Sequence, residues 1–134
     1  MTMRARPMPV RAATVLATLA AAATLATGCG SPADEAQQAS LAHLEAAVRI
    51  LEANAGNAEA AGKALDDYLA THRDAILQAK ARGIAALEAL SPAKRDRFRA
   101  RALERTRPIR ERLDTLARTF PEPAPILQRL RHFQ

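Results

Sequence analysis

Leu41, Leu44, Val48 and Leu51 recur at spacings of 3, 4 and 3, the interval that lays one apolar stripe along one side of an α-helix. The same interval returns twice further on. Leu65, Leu69, Ile76, Gly83, Leu87 and Leu90 mark a second inner face, with His72 among them. Phe98, Ala102, Ile109, Leu113, Leu116 and Phe120 mark a third. No stretch alternates with the two-residue period of a strand, so the stripes predict an all-α protein. Hydrophobic residues make up 49% of the chain but aromatic ones only 3%, because alanine supplies much of the apolar share. Alanine is the best helix former and has little side chain to bury, so the core should be thin and the stability modest.

The breaks between the stripes set the topology. Gly56 in Ala55-Gly56-Asn57 suits the left-handed residue after a helix, and Asn57 suits the N-cap of the next. Ser91-Pro92 pairs a capping serine with proline at the first helical position. Pro108 lies inside the third stripe and should bend that helix. Gly83 marks either a kink or a close helix crossing. Pro121, Pro123 and Pro125 should end regular structure before Ile126, Leu127, Leu130 and Phe133 form a last short helix. The expected fold is a three-helix antiparallel arrangement with a short C-terminal fourth helix, in one domain over residues 33–134. Its helices are expected at about residues 33–54, 58–90, 92–119 and 125–133.

The first 28 residues read differently. Arg4, Arg6 and Arg11 precede the uncharged run from Ala12 to Gly28, which is the order of a secretory signal peptide. Seventeen uncharged residues rich in Ala and Thr are marginal for spanning a hydrocarbon core of about 30 Å. The run ends in Leu25-Ala26-Thr27-Gly28-Cys29, which resembles the lipobox of bacterial lipoproteins: small residues before an obligatory cysteine. Ala26 stands where leucine is usual, and Leu25 falls one residue early. An ordinary secreted protein cut after Gly28 is the alternative. The resemblance implies cleavage before Cys29 and a diacylglycerol thioether on its sulfur, with an N-acyl group on its new amino terminus. Residues 29–32 would be a lipidated tether, and no other cofactor is expected. Two or three acyl chains hold a protein stably on a membrane, whereas one does not. Gly30 follows the cysteine where aspartate would signal inner-membrane retention in enteric bacteria. In a host with two membranes this favours the outer one.

Cys29 is the only cysteine, which excludes an internal disulfide and any cysteine-based metal cluster. His43, His72 and His132 lack a second histidine at the i+3 or i+4 spacing of a helical metal site. No phosphate-binding glycine loop and no nucleophile elbow is present, so the reading is non-catalytic. Charge is divided unequally. Residues 30–91 carry nine acids against five bases, whereas residues 92–134 carry twelve bases against five acids. Arg97, Arg101 and Arg105 are the candidate face for an anionic partner. In a cytosolic protein such a helix would point to nucleic acid, but export removes the chain from it. Anionic lipid, cell-wall polymers, an envelope protein or acidic clients remain. The competing expectation is that these arginines balance the acidic half of the same domain.

Residues Leu90-Ser91-Pro92-Ala93-Lys94-Arg95-Asp96-Arg97-Phe98 resemble the Leu-Thr-Pro-x-Gln segment of Spy-like periplasmic chaperones. Leu90, Pro92 and Phe98 match, Ser91 replaces threonine, and Lys94 stands where glutamine belongs. The resemblance implies a small helical envelope protein that holds unfolded clients on a basic face. The first reading is a membrane-anchored helical lipoprotein acting by binding or structure, and the chaperone is its alternative. A hydrolase accessory or metal-handling protein is the third.

Overall fold

A computed structural model describes residues 30–134; the expected signal segment and Cys29 lie outside the described residues. Helix α1 spans Pro32–Ala53, α2 Ala58–Glu88, α3 Pro92–Arg118 and α4 Pro123–Leu130, with a 3-10 turn at Arg131–Phe133. The fold is all-α: three long helices with a short C-terminal fourth. Ala36 meets Gly83 and His43 meets Tyr68, so α1 and α2 run antiparallel. Asp34 and Glu52 pair with Arg105 and Arg112 in that order, so α3 runs back alongside α1.

Local chemistry sets each boundary. Ser31 caps α1, its hydroxyl accepting from the Asp34 amide at 3.3 Å while the Asp34 carboxylate accepts from the Ser31 amide at 3.2 Å. This reciprocal box satisfies two donors that a helix start leaves open. Ser31 and Pro32 therefore belong to the helix start, where the sequence reads as tether. Gly56 ends the first hairpin arm at a φ of 76°, a conformation side chains with a Cβ rarely adopt. The Asn57 side chain accepts from the Ala60 amide at 3.0 Å and starts α2. The third helix passes through Pro108 as a single helix, with that proline exposed.

The C-terminal prolines differ from expectation. Pro123 does not end structure; it opens α4, and Pro125 sits in the same first turn. The first amides of a helix have no intrahelical acceptor, so proline there sacrifices no bond.

The core forms where the stripes converge. Leu44, Val48 and Leu51 from α1 meet Leu65 of α2, Leu113 of α3 and Phe120 beyond it. Ile126, Leu130 and Phe133 close this end from the C-terminal segment. Elsewhere the packing relies on small residues: Ala33, Ala36 and Ala79 are buried, and a Cβ on Gly83 would lie 3.6 Å from that of Ala36. Gly83 thus marks a close crossing in an uninterrupted α2. A further close approach, unmarked in the sequence stripes, is at Gly62, which the Arg129 guanidinium covers. Arg129 also bonds Asp66 at 2.9 Å, fastening α4 to α2.

One pair of substitutions on α3 checks this packing. Leu113 is 1% exposed and Leu103 is 57% exposed. Leu113→Asp is expected to destabilise the protein by about 4 kcal/mol, because it removes buried apolar contacts and places an unpaired charge among them. Leu103→Asp is expected to change stability by less than about 0.5 kcal/mol. Denaturant unfolding of both variants gives the comparison, and equal losses would contradict the packing.

Candidate functional site: a groove and a basic end

Helix α1 contacts both α2 and α3, whereas α2 and α3 scarcely touch each other among the described residues. The space between them is a groove of about 360 Å³. Ala33, Ala36, Gln37 and Ser40 of α1 form its floor. Ile76, Ala79, Gly83, Ile84 and Leu87 form the α2 wall, and Phe98, Thr106 and Arg110 the α3 wall. Phe133 blocks the far end. The lining is mostly apolar, with Lys80 and Arg110 as its cations. Such a surface can hold an apolar segment and bias its flanks toward negative charge. Ile84, at 60% exposed, is an apolar side chain at the mouth with no cover.

The three arginines chosen from sequence occupy one end of α3 but have different surroundings. Arg105 reaches α1, with Nη1 3.6 Å from the Asp34 carboxylate and 3.4 Å from Gln37 Oε1. Arg101 faces the same carboxylate without closing an ion pair, and Arg97 has no ion pair among the described residues. Both line a second cleft with Ser31, Asp34, Leu90 and Lys94. Asp34 is held below its ordinary 3.8, first by the Ser31 hydroxyl and then by the Ser31 amide, Arg101 and Arg105, against the opposing effect of burial. Arg95 turns inward instead. Its guanidinium donates to the carbonyls of Leu87 at 3.0 Å, Glu88 at 3.4 Å and Leu90 at 3.3 Å. It closes the end of α2, where carbonyls have no intrahelical donor. Both expectations for the basic helix thus find residues. Arg95, Arg105 and Arg112 engage other elements of the domain, while Lys94, Arg97 and Arg101 make no ion pair among the described residues.

A cluster the stripes did not indicate lies beside the groove. His43 Nδ1 and the Tyr68 hydroxyl are 2.7 Å apart, one donating to the other according to the imidazole tautomer. The Tyr68 ring lies 4.1 Å from that of His72 and 5.6 Å from that of Phe133. Tyr68 and His72 are four residues apart on α2, a visible helical pair. His43 and Phe133 join only through folding. Burial, with His72 adding to it, holds the His43 imidazole below its ordinary 6.5, and burial pushes the Tyr68 phenol up. No group of three or more His, Cys, Asp or Glu that could hold a metal ion stands together among the described residues.

Comparison with protein-family models, curated proteins and solved structures gives no match.

The depressed His43 gives a pH dependence of known sign. Below 6.5 the unfolded chain takes up a proton that folded His43 resists, so stability is full above 6.5 and falls as pH drops through it. Asp34 acts in a separate window, losing its contribution only as pH falls below 3.8. The melting temperature should fall between roughly pH 7.5 and 5.5. His43→Gln should flatten that slope. A wild-type melting temperature that rises on acidification through this window would refute the assignment.

Proposed function

We propose that this chain is a non-catalytic binding protein of the bacterial envelope, held on a membrane by lipid on Cys29. The observation that carries the anchoring is the lipobox-like run Leu25-Ala26-Thr27-Gly28-Cys29, placed directly before a capped helix. Within the described residues no helix is long and apolar enough to cross a membrane. Gly30 after the cysteine favours the outer membrane in a host that has two. The groove between α2 and α3 supports binding as the activity, because it leaves apolar side chains uncovered in a domain with few of them to spare. The partner on this reading is an envelope protein.

A second reading, a Spy-like chaperone for unfolded or acidic clients, draws on a specific feature. Ile84 and Leu87 line a groove whose charged residues are Lys80 and Arg110, so apolar contact and attraction for acidic segments occur together. Its basic exposed residues lie on the helix that begins with the Spy-like segment.

One experiment separates the levels. Wild type and Cys29→Ser are expressed with labelled fatty acid. Wild type should label and pellet with membranes, and Cys29→Ser should lose both. A mutant that labels and pellets like wild type would end the anchoring proposal. The lipidated protein in vesicles is then mixed with an aggregating unfolded client. Under the chaperone reading wild type delays aggregation and Ile84→Asp, with unchanged melting, does not. No delay by wild type would reject the chaperone and leave the anchored binding protein.

A further inference from the structure

Resting on the lipid-anchored reading, we propose that Lys94, Arg97 and Arg101 form a headgroup-binding face that seats the tethered end of the bundle on anionic phospholipid. The first support is reach. Cys29 and Ser31 are two peptide units apart, so their Cα atoms are separated by at most about 7 Å. Ser31 is the N-cap and Pro32 the first residue of α1, leaving no longer linker. A lipid on Cys29 therefore brings this end of the domain within about one Debye length, roughly 8–10 Å, of the surface.

The second support is position. Lys94, Arg97 and Arg101 border the same cleft as Ser31 and Asp34, so these cations surround the point where the chain leaves for the membrane. The third is that these three charges are not taken up within the domain. On α3, Arg105 pairs with Asp34, Arg112 with Glu52 and Arg118 with Asp114, while Arg99, Arg107 and Arg110 are also without an ion pair among the described residues. Lys94, Arg97 and Arg101, nearer the tether, make no ion pair among the described residues. Arg95 ties their helical turn to the carbonyls at the end of α2, so the cations keep one position relative to that end.

Acidic groups share this end. Asp34 is engaged by Ser31 and Arg105, and Glu35, Glu88 and Asp96 are exposed. They moderate the attraction and make it sensitive to salt, but they do not occupy the three cations. An anionic surface fits because the cations are spread over two turns of one helix rather than converging on a small ligand. Tethering makes even weak contacts effective, since the local lipid concentration is always high. The consequence is orientation: with the start of α1 on the bilayer, the Asn54–Asn57 loop and α4 point away from it.

The test uses the lipidated protein in vesicles of phosphatidylcholine alone or mixed with phosphatidylglycerol. Cys29 is the only cysteine, so acylation leaves Ala93→Cys and Thr115→Cys each with one free thiol for a fluorophore. The quencher is a lipid spin-labelled at its headgroup. The label at 93 should be quenched roughly threefold more in phosphatidylglycerol vesicles, and the excess should vanish in high salt. The label at 115 should show no such excess. Arg97→Glu combined with Arg101→Glu should remove the excess at 93 while the protein still floats with the vesicles. Equal quenching at 93 in both lipids, or an excess that survives salt, overturns the headgroup face while flotation upholds the anchor. The salt titration on the wild-type surface decides the matter should the double variant misfold. Failure to float with phosphatidylcholine vesicles would instead overturn the anchoring reading.

Discussion

Helix α1 has to bury two flanks at once, and the rest of the molecule follows from that demand. Its Leu44, Val48 and Leu51 enter the main core, while Ala36 lies beneath the close approach of α2 at Gly83. With α2 on one side and α3 on another, the outer two helices are joined mainly through the inner one. A chain so poor in aromatic residues has few ways to fill the wedge between them. It fills the far end with Phe120, Ile126, Leu130 and Phe133 and leaves the end at the start of α1 as a groove. The groove is thus a direct consequence of a small supply of large side chains.

Charge complements that division. The acidic first half and basic second half meet through Asp34 with Arg105, Glu52 with Arg112 and Asp66 with Arg129. These pairs are solvent-accessible and each contributes about 0–1 kcal/mol, so they select the mutual arrangement of helices more than they stabilise it. Arg95 differs because it satisfies carbonyls at the end of α2. On the proposed reading, Lys94, Arg97 and Arg101, which make no ion pair among the described residues, lie beside the lipid attachment point. Anchor, basic end and groove then occupy successive levels away from the bilayer.

The helices were legible because their signals are local. Leucine spacing, the Gly56-Asn57 break and the Ser91-Pro92 restart act within a few residues, and each falls at an observed boundary. Ser31-Pro32 has the same form but reads as tether because it follows a run that resembles a lipobox. Pro123 and Pro125 read as breakers because sequence alone does not say whether a proline precedes or opens a helix. Alanine concealed part of the core: Ala36 and Ala79 are buried, yet nothing in their identity separates them from the many exposed alanines. The site was harder still. Arg97 and Arg105 look alike in sequence, and only the placement of Asp34 on the neighbouring helix distinguishes them. His43 and Phe133 join Tyr68 and His72 from positions far apart in the chain, which no spacing rule detects.

The central structural claim is that α1 is the shared wall on which both long neighbours depend, and residue-resolved native-state hydrogen exchange tests it most directly. The amides of Leu44, Ala47, Val48 and Leu51 should exchange only through global unfolding, with protection matching the full unfolding free energy. The first turns of α3 and the last turns of α2, which flank the open groove, should exchange through smaller openings at lower free energy. Exchange of those α1 amides by local opening, while α2 and α3 stay protected, would contradict the account.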